Sequence, residues 1–265
     1  MPAMLATTRR ATTNSVPAPE SDDEFAHRIA REAADMLAGL QREGVAAGTF
    51  GWGLEEIGDT AAHDFLVAAI AADRPDDGLL SEEGHDDGAR TAKSRAWIVD
   101  PLDGSSGFGA GNAEWAVHVA LSIDGEPLVG AVSVPGMDLT GSTAHPPTVP
   151  ERSDRRPIVI TGRTKARSDG RLLAHMLDAD LAACSSAGVK AMLVMSGEAD
   201  MYVHDGPLYE WDVCAPVAVA LAAGLDACHT NGDPIVFNKK RPVADSLVIC
   251  RPEFTGRIVD ALRSR

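Results

Sequence analysis

Basic residues are scarce in this chain: 24 Lys and Arg stand against 39 Asp and Glu, a formal net charge of −15. That deficit argues against nucleic acid and membrane as partners, because both need basic surface. A small anionic substrate stays open, since a bound cation inverts the local field. Long apolar runs are missing as well. None reaches the 18 or so residues that span a bilayer, and the nearest approach, 213–224, holds Pro216 and adjoins acids, which suits a buried helix. Cysteine is limited to Cys184, Cys214, Cys228 and Cys250, with no C-x-x-C spacing. Each lies among apolar or small residues, so they read as buried reduced thiols, and a cytoplasmic location is expected. No His-x₃-His pair suggests zinc. Residues 1–20 are rich in Ala, Thr, Pro and Ser and lack an apolar segment, so they do not read as a secretory signal; a disordered tail is expected there.

What is present is enough for a full core: 265 residues, 45% of them hydrophobic, as one large domain or two intimate lobes. Ser21 and Glu24 form a capping-box pattern ahead of Phe25, Ile29, Met36, Leu37 and Leu40 at helical spacing, so a helix is expected over about 22–43. A Gly-rich loop over 44–58 and a second helix over about 60–72, with Asp59 as N-cap, follow. Strands are expected at 79–80, 96–99, 115–123 and 128–134, the last two joined by an Asp124-Gly125 hairpin turn. Residues 141–156 read as a loop dividing an α+β lobe (21–150) from an α/β lobe (151–265). In the second lobe, strands at 158–161, 201–204 and 246–250 alternate with helices at 170–177, 189–195 and 212–223.

The most informative stretch is 97–108, Trp-Ile-Val-Asp-Pro-Leu-Asp-Gly-Ser-Ser-Gly-Phe. Three β-prone residues run into Asp100, and Pro101 is expected to end the strand. Asp100, the Leu102 carbonyl and Asp103 offer hard oxygens suited to Mg²⁺. The amides of Gly104 and Ser105 offer a seat for an anion. Taken alone, Asp-Pro and Asp-Gly favour a plain turn. Two further acidic elements shift that balance: Leu80-Ser81-Glu82-Glu83-Gly84 upstream, and Glu210-Trp211-Asp212-Val213-Cys214-Ala215-Pro216 downstream.

The order Glu-Glu, Asp-Pro-Leu-Asp-Gly, Trp-Asp resembles the inositol monophosphatase superfamily of Mg²⁺-dependent, lithium-sensitive phosphomonoesterases, over roughly residues 22 to 262. Within it, the chain looks most like the 3′(2′),5′-bisphosphate nucleotidase (CysQ-type) branch. The resemblance implies a layered α/β/α/β/α sandwich, two to three Mg²⁺ ions, a small phosphorylated substrate such as a nucleoside bisphosphate, and often a homodimer. By resemblance, Glu82, Asp100 and the Leu102 carbonyl would hold one metal. Asp100 would bridge to a second held by Asp103 and Asp212, and a third, weaker one would sit near Glu82. The water would lose its proton to the Ser105 hydroxyl, which stands where the family carries Thr, oriented by Asp59; a simple N-cap is the alternative for Asp59.

The substrate side is implied to include Gly104, Ser105 and Ser106, the turn Ser185-Ser186-Ala187-Gly188 with Ser186, Glu210, and Lys190, whose ammonium would pair with a second phosphate. Arg163 and Lys165 are further phosphate contacts on this reading. Glu83 reads as a neighbouring or surface acid, Asp86 and Asp87 as a solvated turn, and His63 and His118 as structural. Two departures bear on the substrate. Ser105-Ser106-Gly107-Phe108 replaces the branch's Thr, basic, acidic, Phe order, and Ser185 replaces a Gly. A phosphatase specialised for a 2′- or 3′-phosphorylated nucleoside intermediate, an inositol phosphatase and a non-catalytic phosphate-binding protein are the competing readings.

Overall fold

In the computed structural model, residues 20–163 and 167–263 are described. The expected tail over 1–20 therefore falls almost wholly outside the described residues, as does Lys165. Helix α1 (Asp22–Ala46) starts where Ser21 Oγ accepts from Glu24 N at 3.3 Å and buries Phe25, Ile29 and Leu37. Helix α1 runs on to Ala46 and helix α2 (Trp52–Asp73) begins well before the expected position, so about two thirds of the supposed glycine loop is helical. The reason is packing: a Cβ at Gly58 would stand 2.7 Å from the Phe108 ring and 2.9 Å from Leu102 Cδ2. Gly58 therefore marks a close helix–strand contact. Asp59 consequently lies inside α2, not at its N-cap.

The first sheet comprises β1 (Gly78–Ser81), β2 (Arg95–Asp103), β3 (Ala116–Ile123), β4 (Glu126–Val134) and β5 (Leu139–Ser142), in that spatial order. β1 runs parallel to β2, and the remaining pairs are antiparallel. Asp124 and Gly125, at φ +52° and +87°, turn β3 into β4 as expected of a two-residue hairpin. β2 does not stop at Pro101. It continues to Asp103 through a register shift between Asp100 and Asp103, where a proline costs no ladder bond.

The second sheet runs β7 (Asp180–Ala183), β6 (Ile158–Thr161), β8 (Met201–Tyr209), β10 (Val243–Cys250), β9 (Asp226–Cys228). Its first three strands are parallel and its last two join antiparallel. The helices of this half are α4 (Arg167–Met176), α5 (Ala187–Met195), α6 (Glu210–Ala222) and α7 (Pro252–Arg263), and a short α3 (Ser105–Gly109) follows β2. The short strands β5, β7 and β9 and the helices α3 and α7 are additions to the expected elements, and β5 takes in Gly141 and Ser142 from the start of the expected loop.

The result is five layers. α1 and α2 cover the outer face of the first sheet, α5 and α6 lie between the sheets, and α4 and α7 close the far side of the second. Alternation along β2 shows how the strands serve two layers: Trp97 and Val99 belong to the outer core with Phe25 and Leu66, while Ile98 belongs to the inner core with Val213 and Met192. Each such buried side chain contributes roughly 1.5–3 kcal/mol. The middle core draws on both sides of residue 150, so residues 21–150 and 151–265 share it. All four cysteines are free and buried. Among the described residues, no helix is long and apolar enough to cross a membrane.

Candidate active site

The register shift at the end of β2 turns Asp100 and Asp103 toward the N-terminus of α6, which brings Asp212. The three carboxylates can each present an oxygen within 4.8 Å of the other two. Asp100 is 1% exposed; its Oδ1 accepts from Leu102 N at 3.0 Å, while its buried Oδ2 has no hydrogen-bond donor among the described residues. Burial, then the charges of Glu82, Asp103 and Asp212, push its carboxyl well above the usual range. Asp212 accepts from Tyr209 N at 2.9 Å and is raised to about 7 by burial, then by Asp103 and Glu82. Glu82, on the rim, is raised by desolvation of its carboxyl and by Glu83 and Asp103. An orphaned buried carboxylate oxygen among mutually repelling acids fits a hard divalent cation: all-oxygen donors, excess negative charge and no basic partner in the cluster. The side chain of Leu102 is buried beneath Gly58, so its proposed contribution is confined to its backbone.

Asp103 differs from the other two because it is already well supplied with donors. Ser186 Oγ donates to it at 2.5 Å, Ala187 N at 3.1 Å and Gly188 N at 2.7 Å. It thus docks the N-terminus of α5, whose dipole favours a carboxylate, and ties the two sheets together at the cluster. His118 is fully buried beside it, with Nε2 3.4 Å from Asp103 and Nδ1 3.2 Å from the Trp211 carbonyl. Burial lowers its pKa, so it sits as a neutral structural ring. His63 likewise bonds Ser81 Oγ at 2.9 Å. Asp86 and Asp87 are absorbed by local turn bonds to Gly88 N and Ala89 N.

Gly104 turns the chain at φ +87°, where a Cβ would lie 2.5 Å from the Glu114 carbonyl. Ser105 and Ser106 then open α3, their amides ahead of the first intrahelical acceptor. Ser106 reaches the wall of a cavity of about 700 Å³ that also meets Asp103 and Asp212. Asp59 is raised to about 7 by burial, then by Glu83, Glu82 and Glu55. Among the described residues it shares no hydrogen bond with Ser105.

Three of the expected substrate contacts are placed differently. Ser186 is completely buried; its hydroxyl donates to Asp103 and accepts from Val189 N at 3.0 Å, so it caps α5 and holds a carboxylate instead of facing a ligand. Lys190 is 2% exposed, and its three hydrogens go to the carbonyls of Cys184 (3.2 Å), Ser185 (2.8 Å) and Ser186 (2.7 Å). It binds the turn, and no donor is left for a second phosphate. Glu210 is fully buried and accepts from Asn238 N at 2.8 Å and Lys239 N at 3.2 Å, away from the cavity. In each case the direction in which the side chain turns is not encoded in sequence spacing. Arg163, by contrast, does stand on the cavity wall, paired with Glu114. Glu114 itself, Tyr202 and the 204–208 stretch of β8 line or border the site without having been singled out. The expected end of that strand at His204 had hidden the last of these.

With this geometry in view, comparison with known proteins is direct. The Inositol monophosphatase family model matches residues 23–265. The chain is 38% identical over 234 residues to the 3′-phosphoadenosine 5′-phosphate phosphatase of Mycobacterium bovis, covering 80% of this chain and 84% of that one. It is 31% identical to the 3′(2′),5′-bisphosphate nucleotidase CysQ of Escherichia coli, over 69% and 78% of the two chains. Inositol monophosphatase II of Staphylococcus aureus superposes with a TM-score of 0.73 at 22% identity, covering 91% of this chain and 95% of that one. The protein belongs to the inositol monophosphatase family and is a phosphoric monoester hydrolase.

Proposed function

We propose that this protein is a Mg²⁺-dependent phosphomonoesterase that removes the 3′- or 2′-phosphate of a nucleoside bisphosphate. The observation that carries the reading is the opening of the Asp100–Asp103–Asp212 cluster onto a cavity of about 700 Å³. That volume is far more than one phosphate needs and lies within the usual range for small-molecule sites. Its wall mixes apolar surface (Tyr202, Pro207, Leu208) with Arg163, which suits a base and sugar carrying a further phosphate. The M. bovis and E. coli relatives are named for this chemistry, which supports the same substrate class here.

Asp100, Asp103 and Asp212, with Glu82 at the rim and the Leu102 carbonyl, would hold the metal. Bound there, divalent ions supply charge neutralisation for the transferring phosphoryl and a more acidic water. The remaining work falls to the chain. The first amides of α3 orient the phosphate. On this reading the Ser105 hydroxyl would relay a proton toward Asp59, whose carboxyl, raised to about 7 by burial, is in the range of a base working near neutral pH. The test is phosphate release from a panel of nucleoside 3′,5′-bisphosphates, nucleoside 2′- and 3′-monophosphates and inositol phosphates, across a Mg²⁺ titration and in excess chelator. Preference for the bisphosphate with no turnover in chelator is expected. Turnover in chelator overturns the metal role, and preference for inositol phosphates overturns the substrate class.

A further inference from the structure

A site that distinguishes two phosphates from one needs a cation away from the metal cluster. Among the described residues, Arg163 and Lys190 are the Arg and Lys side chains on the cavity wall. An ammonium has three donors, and Lys190 has spent all of them on the 184–186 carbonyls. Arg163 is different. Its side chain is 55% exposed, and its Nε and Nη2 both donate to the Glu114 carboxylate, Nε at 3.2 Å. A guanidinium carries five donor hydrogens. This two-pronged grip uses two and leaves the Nη1 edge for a ligand.

Glu114 is itself fixed from three directions. Its Oε2 also accepts from Ser185 N at 3.3 Å and Ser185 Oγ at 3.0 Å. Its backbone carbonyl closes on the metal loop, where a Cβ at Gly104 or Gly107 would lie 2.5 or 2.7 Å away. One residue thus touches α3, the loop after β6 and the loop after β7, all three of which border the cavity. Arg163 holds the Glu114 carboxyl down at about 2, so the pair stays ionised at any working pH. An ion pair this exposed adds only about 0–1 kcal/mol to stability. Orientation explains the convergence better than stability does. The unexpected Ser185 fits the same account, because its hydroxyl is a third anchor on Glu114.

We propose that Arg163 binds the phosphate that is not cleaved, and that Glu114 is the positioning residue that presents it; the assignment rests on the bisphosphate reading above. It replaces Lys190 in that role.

The experiment measures kcat and KM for a nucleoside 3′,5′-bisphosphate and the matching 3′-monophosphate, together with affinity for the nucleoside 5′-monophosphate product by calorimetry. Wild type is compared with R163A, R163K, E114Q and K190M. A charge-assisted contact corresponds to about 10- to 100-fold. R163A should therefore lower the bisphosphate-to-monophosphate ratio of kcat/KM by about that factor, through KM, and weaken product binding in parallel. R163K should fall near R163A, because an ammonium cannot grip Glu114 and still offer a planar edge. E114Q keeps Arg163 but loosens it, and should lower the same ratio by a smaller factor. K190M should leave the ratio where it was and lower the melting temperature. A preserved ratio and preserved product affinity in R163A and E114Q overturn the assignment while the bisphosphate reading stands. A wild type with no preference for the bisphosphate overturns that reading, and this assignment with it.

Discussion

Two buried aspartates in this molecule are treated in opposite ways. Asp200, just before β8, has no exposed surface, yet it is surrounded by cations: Arg155 at 2.6 Å, Arg152 at 3.2 Å and Arg251 at 3.6 Å, with Ile158 N donating at 2.8 Å. Asp100 is as deeply buried, yet its charged neighbours are Glu82, Asp103 and Asp212. Burying a charge is costly unless a partner compensates. The chain supplies that partner for Asp200 from within. For Asp100 it does not, which leaves its charge to be met by a proton or by a cation from solution. A carboxylate that the fold completes is architecture; one the fold leaves incomplete is a candidate site.

The largest effect is expected at Asp200. Replacing it with Asn strands three guanidinium groups, and loss of one partner of a buried pair costs about 3–5 kcal/mol. The low end is expected, because Arg152 and Arg155 reach solvent; urea unfolding of D200N measures it. A loss below about 1 kcal/mol would show that the Arg cluster is indifferent to its carboxylate. The same Asp-to-Asn change at Asp212 should act oppositely. Activity should fall by more than the roughly 10- to 100-fold that losing an outer partner of a metal ligand costs. In chelator near pH 8, D212N should nevertheless melt no lower than wild type, since one repelling charge is gone. Near-wild-type kcat would make Asp212 only a helix cap.

Ser186 sharpens the contrast from the side of Asp103. S186A removes one donor to that carboxylate and the cap of α5, so Mg²⁺ affinity by calorimetry should weaken by about 10-fold. Stability should fall by about 1 kcal/mol. Unchanged affinity would mean that the α5 amides hold Asp103 by themselves.

The smallest effect is the pH dependence of the metal-free protein. Asp59 and Asp212 have folded-state values of about 7, above the roughly 3.9 of an unfolded Asp. Between those values the folded chain holds more protons than the unfolded one. Stability from this source is therefore complete at the acid end and is lost as pH rises toward and through 7. In chelator, the melting temperature should drop between about pH 5 and pH 8, and Mg²⁺ should shrink that drop. Identical slopes with and without Mg²⁺ would detach these groups from the cation.

Much of the candidate site was legible in one dimension because its chemistry is carried by residue type at short spacing. Asp100-Pro101-Leu102-Asp103 and Trp211-Asp212 announce carboxylates at chain turns, and the Asp124-Gly125 hairpin announces itself by backbone preference. The glycines after Gly44 misled, because a glycine needed for flexibility and one needed for close packing look alike in a sequence. Gly58 is of the second kind, which is how Asp59 came to lie within a helix. Pro101 misled similarly, since a bulge tolerates what a regular ladder does not.

Local sequence accounts for the acidic residues that could hold a metal and the alternation that builds two sheets. Those follow from local spacing, which any fold must respect. Side-chain direction was set by packing. Lys190 turns to three carbonyls of its own turn, Ser186 turns to Asp103, and Glu114 reaches across to Arg163 and Ser185. Those choices depend on which donors and acceptors the two sheets bring within 3 Å or so of one another. No local pattern encodes that, because the partners are 49 to 83 residues apart in the chain where they cross between sheets.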